Sequence, residues 1–168
     1  DALLRQARVT SNPGLAVRAE EVLRRALDAD PDHYDALRML GTTLAAQHRF
    51  RDAIATADRA RRREPDDAWN YGVIGDAHLE LGEYDEAFAA FDEMMRRRPT
   101  AAAYARASYA RELQGDLHGA VRLMQMARDA TSLDEAQPML LATRKALERA
   151  IVAADAAAGV IGRAQALV

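Results

Sequence analysis

The stretch DDAWNYGVIGDAHLELGEYDEAFAAFDEMMRRRP, residues 66–99, reads as two short helices facing each other across a turn. Tyr71, Ile74 and His78 fall at the three- and four-residue spacing of one helical stripe, and Ala87, Phe91 and Met94 do so again further on. Gly82-Glu83 interrupts the first pattern and opens the second. Pro99, which has no N–H to give to a helix interior, ends it. Gly75 lies within the first helix, where glycine costs up to ~1 kcal/mol against alanine. A close crossing, with the small Ala87 as its match on the second helix, is the physical reason to accept that cost.

The pattern recurs in step on the N-terminal side. Pro31, Pro65 and Pro99 are spaced 34 residues apart. Between the first two, Leu37, Leu40, Gly41 and Leu44, then Ala53, Ala57 and Ala60, repeat the arrangement in register. These residues resemble the tetratricopeptide repeat, a 34-residue unit of the form W-x2-L-G-x2-Y…A-x3-F…A…P. The resemblance implies an all-α, right-handed superhelical solenoid of antiparallel helix pairs, with 32–65 and 66–99 as its clear repeats.

Outward from this pair the pattern weakens. In 1–31, Ala19, Leu23, Ala26 and Pro31 keep a second helix, roughly from Gly14 to Ala29, after a Ser11-Asn12-Pro13-Gly14 turn, but Gln6 and Ala7 stand where Leu and Gly are expected. That first repeat reads as degenerate. The segment 100–132 reads as a repeat one residue shorter, with Ala107-Ser108 for Leu-Gly, a Gly115-Asp116 turn, and then Ala120, Met124 and Ala127. In 133–168, Ser132 to Glu135 has the form of a capping box, and Pro138 sits near the limit of the first turn or just past it. Leu140, Leu141, Leu147, Ile151, Ala154 and Ala158 then follow helical spacing. No Gly or Pro divides residues 146–151, so one capping helix and a degenerate fourth pair both remain open.

Composition agrees with a helical array. There are 38 alanines, 5% aromatics and no alternating Val, Ile and Thr run. The net charge of −3 comes from 23 basic and 26 acidic residues that are interspersed, which argues against a nucleic-acid partner. No stretch approaches the roughly 20 apolar residues of a membrane-spanning helix, so no membrane insertion is expected. The chain has no cysteine, which leaves the compartment open, with the cytoplasm as the working expectation. Asp1 is not Met, so the chain is processed, trimmed or part of a longer protein. Lys145 is the single lysine among the basic residues, which we read as genomic base composition.

No catalytic constellation emerges. His33, His48, His78 and His118 fall in different turns or helices without ligand spacing, and there is no phosphate loop, no G-x-S-x-G and no thiol nucleophile. The expectation is no enzyme, no metal and no cofactor. Asp66-Asp67 and Asp85-Glu86 lie at helix starts, where negative charge complements the helix dipole. Arg24-Arg25, Arg61 to Arg63 and Arg96 to Arg98 lie at the ends of second helices, where cations do the same.

In the tetratricopeptide family the concave face is lined by the first helix of each repeat, and the resemblance carries that face onto named positions. They are Arg38, Thr42 and Ala45, then Trp69, Val73, Asp76 and Glu80, then Arg106, Tyr109 and Glu112. The implied partner is another protein or peptide, gripped as an extended segment or helix, with Trp69 and Tyr109 beside arginines suiting an apolar anchor and a carboxylate. The family's chaperone clamp needs lysines and asparagines. Matching positions here hold Arg38, Thr42, Val73, Ala102 and Arg106, so that clamp is not expected. Self-association into a homo-oligomer and a docking role within a larger enzyme are the other readings.

Overall fold

The computed structural model describes residues 13–130 and 147–149. Among these, α1 (Pro13–Ala29), α2 (Tyr34–Ala46), α3 (Phe50–Arg63), α4 (Ala68–Glu80), α5 (Tyr84–Arg97), α6 (Ala101–Leu113) and α7 (Leu117–Asp129) follow one another with short turns and no strand. None of these helices is long and apolar enough to cross a membrane. The all-α helix-pair architecture expected from the repeat is the one observed. The chain forms two compact units, Asp1–Arg98 and Pro99–Val168. The capping box at Ser132 and Pro138 lie outside the described residues.

Helix starts differ, and in the second helix α7 Asp116 caps the Gly119 amide at 2.8 Å. The first helices have side-chain caps: His33 accepts from the Ala36 amide, Asp67 from Trp69 and Thr100 from Ala103, each satisfying an amide that has no partner within its helix. The second helices α3 and α5 start at Arg49 and Glu83 without a side-chain cap. There Asp52, and Asp85 with Glu86, supply only first-turn charge. The capping role read for Asp66-Asp67 therefore falls to Asp67.

In the first unit Leu40, Leu44, Ala53 and Ala77 pack into one cluster, flanked by Leu23 and Leu27 of α1. Ala57, Val73, Ile74 and Ala90 form the next. In the second unit Ala120, Met124 and Ala127 pack with Leu147.

The repeat's small position takes three forms. A Cβ on Gly75 would lie 2.6 Å from Phe91 Cδ1, closer still to Cε1, and 3.2 Å from the Ala87 carbonyl oxygen, so α4 and α5 are in contact where glycine stands. A Cβ on Gly41 would meet Ala57 at 3.4 Å, an ordinary contact, because alanine replaces the phenylalanine. The close-crossing reading therefore holds at Gly75 and relaxes at Gly41. In the second unit, Ser108 takes the position, and its hydroxyl donates to the Ala120 carbonyl at 2.7 Å.

The turn between helices also shows what the sequence is asked to do. Gly82 and Gly115 adopt φ of +75° and +80°, and His48 occupies the equivalent turn with φ +59°. A non-glycine residue in this left-handed region is strained by roughly 1 kcal/mol. The His48 ring gains an edge-on contact with Phe50 at 5.6 Å, which offsets part of that strain. Replacing Gly82 with alanine should lower stability by about 1 kcal/mol although its Cβ would meet no atom within 4 Å. His48→Gly should be neutral to slightly stabilising. Urea unfolding followed by circular dichroism tests both; a Gly82→Ala variant as stable as the parent would refute the backbone argument.

Candidate functional site

Contacts between α2 and α4 gather several of the expected face residues into one arrangement. The Arg38 guanidinium lies over the Trp69 ring, 4.8 Å from its centroid. The Trp69 indole N–H donates to the Thr42 hydroxyl at 3.1 Å, and that hydroxyl donates in turn to the Arg38 carbonyl at 3.2 Å. Trp69 is thus held on one ring face and at its nitrogen, yet remains 43% exposed. The repeat positions thirty-odd residues apart are side by side in space, which is why residues of α2 reach those of α4.

Asp67 is the centre of this cluster. Its carboxylate accepts the Tyr34 hydroxyl at 2.5 Å and the Trp69 amide at 2.9 Å, and lies 3.0 Å from Arg38 Nε. The Arg38 N–H is not aligned on it, so this last contact is an ion pair rather than a directed hydrogen bond. Burial pushes the Asp67 pKa up. The Tyr34 hydroxyl, the Trp69 amide and the Arg38 charge outweigh that, leaving it below its ordinary value. Burial and the Asp67 carboxylate together push the Tyr34 hydroxyl up to about 12. Asn70, only 1% exposed, donates its amide to Tyr34 at 3.2 Å.

The remaining expected positions separate. Val73 does not belong to the exposed face: at 8% exposure it packs with Ala57, Ile74 and Ala90, because a β-branched apolar side chain there fills the space between α3, α4 and α5. Asp76 is half-buried and Glu80 exposed, both on the α4 stripe that begins at Trp69. Arg106 and Tyr109 lie on α6 of the second unit. There Arg106 Nη1 donates to the Ala102 carbonyl at 3.2 Å, and Tyr109 is 47% exposed, with Leu113 exposed one turn further on.

The sequence sets Trp69 and Tyr109 beside arginines suited to a partner's carboxylate, and Arg38 is one of these arginines. The structure supplies that carboxylate from within, as Asp67. Tyr34 and Asn70 were not anticipated at all, and the available signal was the repeat length, since Tyr34 meets Asp67 and Asn70 across 33 and 36 residues.

Most arginines of the runs are similarly engaged. Arg61 and Arg62 pair with Asp58, Arg63 with Asp32, and Arg96 and Arg97 with Glu93. Arg97 also donates to the Pro65 carbonyl at 2.7 Å and covers the Tyr71 ring at 4.2 Å. Arg61, Arg62, Arg96 and Arg97 thus pair within their own helices, and Arg97 also reaches the last residue of the preceding repeat. His78, at the position where the repeat packs an aromatic ring, lies 2.7 Å from Glu83, which also pairs with Arg51. Hydrogen bonds from His78 and Arg51 hold the Glu83 carboxyl below its ordinary value.

Stacked antiparallel helix pairs with an exposed aromatic on the first-helix face define a helical repeat protein. The tetratricopeptide repeat pattern matches residues 17–68, 38–102 and 73–135, and the chain belongs to that family. A 57-residue stretch is 39% identical to the Hsp70-Hsp90 organizing protein of Triticum aestivum, covering 34% of this chain and 10% of that protein. The chain therefore spans about a tenth of the length of this relative. Among solved structures, a thermophilic tetratricopeptide repeat protein of Thermus thermophilus superposes with a TM-score of 0.72 at 19% identity, over 89% of this chain and 81% of that one. MamA 41-end from Desulfovibrio magneticus RS-1 gives 0.64 at 18% identity, over 77% and 76%. Identities this low speak for the fold alone.

Proposed function

We propose that this chain is a protein-interaction module, a scaffold or adaptor, whose first unit binds a segment of a partner protein on the face formed by α2 and α4. The observation that supports this reading is Trp69, a large aromatic kept 43% exposed while Arg38 and Thr42 fix its orientation. A rigid, half-exposed tryptophan offers a large contact area with little conformational entropy left to lose. Tyr109 on α6 is a second anchor of the same type in its own unit. The organizing role in the relative's name is not carried over through a carboxylate clamp: Val73 is buried, and Arg38 is paired to Asp67.

The test is selection from a displayed peptide library against the full chain, followed by calorimetry with the selected peptide. Trp69→Ala should weaken binding by at least 30-fold, the effect of losing about 2 kcal/mol at an anchor. Tyr84→Ala, which removes an equally exposed aromatic on α5, should leave it unchanged. Normal binding by the first variant together with lost binding by the second would move the site to the other face. Light scattering over a range of concentrations separates partner binding from self-association.

A further inference from the structure

The charge that the α2–α4 face can offer a partner follows from how its arginine is used. Arg38 is the one cation among the expected face positions of the first unit, and it is engaged twice, by Asp67 at 3.0 Å and by the Trp69 ring at 4.8 Å. To receive an incoming carboxylate it would have to leave Asp67, stranding a half-buried anion that also anchors Tyr34 and the α4 cap. Glu80 stands at the far end of the same α4 stripe. It is exposed and makes no hydrogen bond or ion pair among the described residues. Eleven residues separate it from Trp69, which places the two within about 20° on the helix wheel and roughly 16 Å apart along the axis. Most arginines of the runs, which lie on second helices rather than on this face, are likewise engaged: Arg61 to Arg63, Arg96 and Arg97 are paired with Asp58, Asp32 and Glu93.

We infer that the segment bound on this face is basic, with an apolar side chain seated on Trp69 and an arginine or lysine meeting Glu80. This rests on the interaction role proposed above and gives it a partner chemistry opposite to a carboxylate clamp. For an extended segment, roughly 16 Å corresponds to about five residues between anchor and cation.

Trp69 is the sole tryptophan, so its emission reports on the site directly. The probes are two acetylated, amidated twelve-residue peptides in a Ser/Thr background. Each carries one leucine and, five residues on, either two arginines or two glutamates. At low salt the arginine peptide should shift Trp69 emission and bind the full chain at least tenfold more tightly than the glutamate peptide. Salt should erode that difference, and Glu80→Arg should reverse it while leaving the helical circular dichroism unchanged. Tighter binding of the glutamate peptide, or an unchanged order in Glu80→Arg, would overturn the charge assignment while leaving the face itself in place. Failure of both peptides overturns it as well. If peptides selected from the library bind without any change in Trp69 emission, the face and not only its charge preference is wrong.

Discussion

Gly75→Ala is expected to destabilise the first unit by about 2 kcal/mol, although alanine is the better helix former. The new methyl carbon would stand 2.6 Å from Phe91 Cδ1, closer still to Cε1, and 3.2 Å from the Ala87 carbonyl oxygen. Phe91 is 1% exposed and has nowhere to move, so α4 and α5 must separate. Overpacking of this kind costs about 1–3 kcal/mol, with the short contacts placing it at the upper end, and helix propensity returns up to ~1 kcal/mol. Gly41→Ala is the control. Its Cβ meets Ala57 at 3.4 Å, so the same substitution should be neutral or stabilising by up to ~1 kcal/mol. Shrinking the ring in the double variant Gly75→Ala/Phe91→Leu should recover part of the loss, giving a coupling energy of about 1 kcal/mol in a double-mutant cycle. Urea unfolding with an unchanged m-value measures all of these proteins. Equal effects at Gly41 and Gly75 would mean that the crossing is not where the contact lies.

Removing the Asp67 carboxylate should have the other large effect, about 3 kcal/mol for Asp67→Ala. The α4 cap contributes about 1 kcal/mol, and hydrogen bonds to a charged acceptor about 1.5–3 kcal/mol. The variant also leaves the Tyr34 hydroxyl and the Arg38 guanidinium without their anion. Asp67→Asn keeps an oxygen for the Trp69 amide and should lose roughly half as much. The pH profile carries the same signature. Because the folded Asp67 pKa lies below its ordinary 3.8, its contribution is complete above that value and is lost as pH falls through the lower folded one. Tyr34, raised from 10.0 to about 12, contributes fully below pH 10 and loses that contribution as pH rises toward 12. In Asp67→Asn the acid arm should shrink to the part carried by other lowered carboxyls such as Glu83, and the alkaline arm should shrink as well, since burial alone then raises Tyr34. A thermal-melt series from pH 2 to 12 that showed the same acid arm in both proteins would remove Asp67 as its source.

The repeat, its helix boundaries and the small positions were legible because each follows from local chemistry. Proline and glycine end helices, apolar residues recur at helical spacing, and a glycine inside a helix signals a crossing. Val73 was misplaced because helical periodicity tells which residues share a stripe but not how far a neighbouring helix reaches over it. The pairing of Arg38 with Asp67 was not legible, since that carboxylate lies in the next repeat, 29 residues away in sequence.

The order of the helix pairs was therefore determined by the sequence alone, through short-range propensity and capping. What the tertiary structure decided was which crossings are tight and which charges remain available. Gly75 is closed by the Phe91 ring while Gly41 is not, Arg38 is neutralised by Asp67, and Glu80 is left exposed. Those outcomes depend on contacts between residues some 16 to 29 positions apart, where side-chain volume and alignment matter, and no local pattern encodes them.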